Sequence, residues 1–338
     1  MKFNLVKILK FSGFLAVGII LLYFAFRDMD FESLKADFRS VRYSWVLLSL
    51  VFAFIAYISR TIRWTLIIEP LGYKPRFNHT FYSLMVGYLA NFAFPRLGEV
   101  TRCASLSKKE KIPVDKLFGT VIVERAVDLL SLFILLLILV IFRFETFGSF
   151  FRENIFLPLG QKISNTLNIS VYFYIGGFLL LAGMIVGYFI FREELSRFGI
   201  VVRIKNVVKG IIAGLQTVYK MKKRGAFIFH SVFIWFNYLM MTWVVVFALP
   251  STSDLDIIDG MFLLVIGGLG MSAPVQGGIG AFHWIVSRGL FTVYKNVSLE
   301  EGLVFATISH ESQSLMAIGL GTLSFFLLLR TGKQKTSN

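Results

Sequence analysis

The chain has 338 residues, a mean hydropathy of +0.71, 37 phenylalanines and only 16% charged residues. Soluble domains carry about 25% charged residues, so a soluble globular protein is excluded, and continuous rather than alternating apolar runs exclude a β-barrel. An all-α polytopic membrane protein remains, and the net charge of +15 has to be explained by its loops.

In chain order, MKFNLVKILK leads into an apolar stretch ending at Phe26, with no small-x-small cleavage site before Arg27. It reads as an uncleaved first span over 9–26. Phe31, Leu34, Phe38 and Val41 follow at helical spacing and predict a short amphipathic helix on the outer surface. A second span covers 45–67. The next apolar segment, 80–103, is interrupted by Pro95 and carries Arg96, Glu99 and Arg102. A third span, 117–142, contains Glu124, Arg125 and Asp128. A fourth covers 171–191. In 199–219, Val201, Ile204, Val208, Ile211, Leu215 and Val218 recur with Arg203, Lys205 and Lys209 between them, the pattern of a helix lying on an anionic leaflet. A fifth span covers 225–249. Segment 258–293 is again interrupted, by Pro274 and by Gly277, Gly278 and Gly280, and the last span, 303–329, carries His310, Glu311 and Gln313.

The two interrupted segments fit best as re-entrant hairpins that return to the side they entered. Six full spans then remain. Residues 1–10, 60–79, 102–116, 192–224 and 330–338 share one side, with 24 basic and 5 acidic residues. The opposite side holds 8 basic and 11 acidic residues. Basic loops stay in the cytoplasm, so both termini are expected inside. This orientation and contact with anionic lipid account for the charge, and no nucleic-acid partner is expected. The order span, span, hairpin, span occurs twice in opposite orientation, over 1–142 and 171–330, which predicts a single membrane domain built as an inverted repeat.

Charges near the bilayer centre cost at least ~2.5–3.5 kcal/mol each, so those inside the apolar segments are candidate site residues. Glu124 and Asp128 are four apart and share a helix face, with Arg125 about 100° away. The expected pairing sets these carboxylates against Arg96 or Arg102 of the first hairpin, and Arg125 against Glu99. Such a network either pins the hairpin or forms a polar cavity; arginines beside a broken helix suit a phosphate head group. Gln276, Gly277, Gly278, Gly280, His283, His310, Glu311 and Gln313 are expected to face the same region from the second half. His283, His310 and Glu311 form no HExxH pattern and come from distant segments, so they are not expected to hold zinc. Cys103 is the single cysteine, which excludes an internal disulfide and argues against a thiolate metal site. No cofactor, metal or catalytic residue is expected, because no nucleophile with its base and no P-loop is present.

The combination PRLGEVTR (Pro95, Gly98, Glu99, Arg102), VIVERAVDLL (Glu124, Arg125, Asp128) and PVQGGIGAF resembles the lysylphosphatidylglycerol synthase transmembrane, or flippase-like, family along essentially the whole chain. The resemblance implies a lipid translocator of the cytoplasmic membrane, with a phospholipid or polyprenyl phosphate as cargo. In it Arg96, Arg102 and Arg125 meet phosphate, Glu99, Glu124 and Asp128 position them, and His283 or Glu311 carries a proton. Synthesis of lysylphosphatidylglycerol is not expected, for the family's soluble transferase domain has no counterpart in these 338 residues. His283 stands where the family often has Glu. Two alternatives stay open: an accessory subunit of an envelope lipid or glycan assembly, in which homo-oligomers or biosynthetic partners are expected, and an enzyme acting on a lipid head group.

Overall fold

The computed structural model describes residues 31–95, 97–143 and 221–333, together with Tyr23 and Tyr219. The expected spans 9–26 and 171–191, the inner amphipathic helix 199–219 and Arg96 lie outside the described residues. So do the side chains of Phe31 and Leu34, although the outer helix itself is present as α1, Phe31–Ser40. No strand occurs among the described residues.

Four helices are long and apolar enough to cross a membrane, and they coincide with four of the expected spans. They are α2 (Tyr43–Ile68), α5 (Val114–Phe142), α6 (Arg224–Trp243, continued as a 3-10 turn over Val244–Ala248) and α9 (Leu299–Lys333). The 29 residues of α5 rise about 43 Å, more than the ~30 Å hydrocarbon core. Its outer face exposes Ile122, Leu129, Phe133, Ile134, Leu137 and Ile141, as contact with lipid tails requires.

Both interrupted segments are helix–turn–helix units. The first joins α3 (Phe77–Ala93) to α4 (Leu97–Glu110), and the second joins α7 (Ile257–Ser272) to α8 (Ala281–Val293). One device ends both first arms. A residue before proline is driven out of the helical region: Phe94, before Pro95, has φ −143°, ψ 131°, and Ala273, before Pro274, has φ −58°, ψ 144°. The arms then fold back on each other. Gly98 Nα–H donates to Asn91 Oδ1 at 2.7 Å, and Gly87 lies against the Gly98 carbonyl.

The packing crosses between the two parts of the chain. α2 packs on α6, and α9 packs on α3 and α8. α5 packs on α4 and α7. Gly321 of α9 lies against Met85 and Leu89 of α3, as Gly268 of α7 lies against Leu132 of α5. Val245, Phe262, Ile266, Val304 and Phe305 centre the largest buried core.

The start of α7 is tied down by polar groups. Asp256 accepts from the backbone N–H groups of Ile258 and Asp259, while the Asp259 side chain accepts from the Asp256 N–H. Arg143, just beyond α5, pairs with Asp256 at 2.6 Å, and the Tyr294 hydroxyl donates to Asp259 at 2.9 Å. Asp256→Ala is expected to cost about 1 kcal/mol, the usual value of such a cap. A thermal unfolding scan in detergent checks this, and no change in midpoint would show that the cap is dispensable.

Candidate functional site

The residues singled out by charge and by glycine content fall into two clusters, each with its own partners. The first centres on Glu124, which is wholly buried in α5. Arg102 of α4 reaches its Oε2 from Nη2 at 2.7 Å, while Arg60 and Arg63 of α2 reach Oε1 at 3.1 and 3.2 Å. One turn further on, Asp128 takes Arg63 at 2.7 Å and Arg60 at 3.7 Å. Arg125 points elsewhere, to Glu99 at 2.9 Å, and this pair is partly exposed.

Two expected pairings are present, Arg102 with Glu124 and Arg125 with Glu99. Arg60 and Arg63 correct the reading of the loops: the charge pattern places them in a loop on the basic side, and both are buried within α2. Without them the same set of loops still carries 22 basic residues (24 less these two) against 5 acidic ones. A signal for them existed in YISRTIRW, whose arginines are three apart and therefore share one helix face. The 26-residue length of α2 keeps them inside the helix rather than beyond its end.

Three guanidinium groups against two carboxylates leave the described side chains of this cluster one positive charge in excess. Its donors also exceed its acceptors. Among the described residues, the Nε atoms of Arg60, Arg63 and Arg102, with Arg102 Nη1, have no hydrogen-bond partner. Aromatic groups fill part of the surroundings: Arg102 lies 4.8 Å from the Trp64 ring centroid, and Arg60 donates to the Tyr238 hydroxyl at 2.8 Å beside the Tyr88 ring. Trp64 itself is anchored by donating to Thr120 at 2.9 Å.

The second cluster surrounds the turn between α7 and α8. Gly277, Gly278 and Gly280 have φ of +59°, +81° and +83°, the left-handed region that glycine adopts without strain. Gly277 is constrained twice, because a Cβ there would lie 2.6 Å from ring carbons of Phe92 in α3. The two hairpin turns thus meet at this point. His310 of α9 places Nε2 2.8 Å from the Gly277 carbonyl and Nδ1 3.0 Å from Glu311. His283, in the first turn of α8, places Nε2 3.5 Å from the same Glu311 oxygen. Gln276 is buried in the turn, and Gln313 is half-buried on α9.

The model of the lysylphosphatidylglycerol synthase TM region matches residues 12–321. The chain belongs to that family. It is also 26% identical over 155 residues to a UPF0104 membrane protein of Methanocaldococcus jannaschii, a match covering 45% of this chain and 46% of that protein. It thus spans about half the length of that relative. A UPF0104 membrane protein of Methanothermobacter thermautotrophicus is 24% identical over 309 residues, 86% of either chain. No solved structure matches significantly. The family member is therefore a multi-pass membrane protein whose buried charges lie on elements inside the matched region.

Proposed function

We propose that this protein is a lipid translocase that moves a phosphate-bearing lipid, a phospholipid or polyprenyl phosphate, across the cytoplasmic membrane. The observation that supports the reading is the guanidinium cluster of Arg60, Arg63 and Arg102, which among the described residues carries excess positive charge and donors without acceptors. A phosphate oxygen supplies both what the cluster lacks, acceptors and negative charge. In this reading Arg125, half-exposed beside the cluster, meets the head group first. The phosphate then competes with Asp128, the more exposed of the two carboxylates, for Arg63 and Arg60.

The proposal includes six spans, two re-entrant hairpins, cytoplasmic termini and alternating access between inverted halves. Crossed packing favours such a repeat: α9 lies on the first arm of one hairpin and α5 on the first arm of the other. The reading assigns no catalytic residue. A second reading has its own support. Glu124 is wholly enclosed by its arginines, which suits a cluster that merely pins α4 to α2 and α5 in an accessory subunit.

Reconstitution into liposomes separates the two. Head-group-labelled phosphatidylglycerol and polyprenyl phosphate are followed with a membrane-impermeant quencher. A translocase accelerates crossing over protein-free vesicles. Arg125→Gln, which removes no buried partner, then slows it by about tenfold or more, the worth of one charge-assisted bond. No crossing of either lipid favours the accessory role, and a chemically altered head group indicates an enzyme.

A further inference from the structure

We infer that His283, His310 and Glu311 form a binding site for a divalent transition-metal ion of the zinc type. The inference is independent of the proposed translocation, since it uses none of the arginine cluster. It begins with a conflict of hydrogen bonds. The Gly277 carbonyl can only accept, so His310 Nε2, 2.8 Å away, carries a proton. In the neutral ring Nδ1 is then a lone pair. It faces the carboxylate oxygen of Glu311 at 3.0 Å, acceptor against acceptor. His283 Nε2 lies 3.5 Å from that same oxygen. A cation between the three resolves the contact.

The geometry fits a metal. One ligand atom from each residue lies within 4.8 Å of the other two. Tetrahedral zinc with bonds of about 2.0–2.1 Å sets its ligand atoms about 3.3 Å apart, and the separations of 3.0 and 3.5 Å bracket that spacing. The Gly277 carbonyl already holds His310 by its outer nitrogen, the support that metal-bound histidines ordinarily have. Two imidazoles and one carboxylate favour zinc-like ions over calcium or magnesium, which prefer oxygen. Both histidines are buried and Glu311 is 39% exposed, so a fourth coordination position opens on the carboxylate side. Loading does have a cost. The Gly280 N–H lies 3.4 Å from His283 Nδ1, and a ring bound to metal through Nε2 carries its proton on Nδ1, so this long contact must yield.

The test uses tag-free, full-length protein in detergent, stripped with a chelator and titrated with Co²⁺ alone. The site predicts a single Co²⁺ per chain with visible ligand-field absorption, displaced by Zn²⁺. His310→Ala and His283→Ala lower the affinity by more than tenfold, and Glu311→Gln, which preserves shape at a partly exposed position, also weakens it. His79→Ala leaves it unchanged, since His79 pairs with Glu110 elsewhere. Absence of stoichiometric Co²⁺ in the unmodified protein overturns the site in favour of a proton shared between His310 and Glu311. Binding that none of the three substitutions weakens also overturns it.

Discussion

Glu124→Ala is expected to be among the most damaging single substitutions in this protein, at about 3–5 kcal/mol, the usual cost of breaking a buried ion pair from one side. The carboxylate is wholly buried and receives Arg60, Arg63 and Arg102. Its removal leaves three guanidinium groups against Asp128 alone among the described carboxylates. Glu124→Asp keeps the charge and is expected to recover part of the loss, limited by the shorter reach to Arg102. Arg102→Met combined with Glu124→Leu removes one charge of each sign, so the double variant should be less unstable than Glu124→Ala. Melting midpoints of the purified variants decide this. Equal midpoints for Glu124→Ala and the unmodified protein would show that the arginines are compensated from elsewhere.

Gly98→Ala is expected to have a smaller but still large effect by a different mechanism. The new methyl would sit 2.3 Å from the Gly87 carbonyl oxygen and 2.6 Å from Asn91 Oδ1. Overpacking usually costs about 1–3 kcal/mol, and here the first atom met is backbone that no rotamer change can move. The arms α3 and α4 must separate. The only cysteine reports this, because Cys103 lies on α4 and is fully buried. Maleimide labelling of Cys103 should be slow in the unmodified protein and many-fold faster in Gly98→Ala. Gly119→Ala, where no described atom outside its own stretch of helix lies within 4 Å of the new methyl, should label like the unmodified protein. Unchanged labelling in Gly98→Ala would mean that the hairpin absorbs the methyl without opening.

Much of this architecture is legible in the sequence for simple reasons. Long apolar runs read as spans because nothing else tolerates them. Pro95 and Pro274 read as interruptions because their effect on Phe94 and Ala273 is local. Pairing of Arg102 with Glu124 and of Arg125 with Glu99 follows from the cost of leaving either charge alone. Arg60 and Arg63 escape the same reasoning because they lie near the end of an apolar run, where an arginine usually marks a membrane exit. Only the partner decides otherwise, and that partner is on α5, some sixty residues away. That His283, His310 and Glu311 face one region follows from the order of elements, but the distances between them are set by how α8 packs on α9, which no local pattern encodes.

The seating of α9 against α3 has a consequence for biogenesis. The first hairpin is complete once residue 110 has been made, yet the helix that covers Met85 and Leu89 begins at Leu299. At ~5–20 residues per second, the ribosome delivers that cover roughly 10–40 s later. Throughout that interval the α3 surface is a vacancy that lipid or an insertion chaperone must occupy. Assembly of the amino-terminal part therefore finishes only after the carboxy-terminal helix arrives, and a nascent chain halted before residue 299 is expected to be a substrate for membrane proteolysis rather than a folded half.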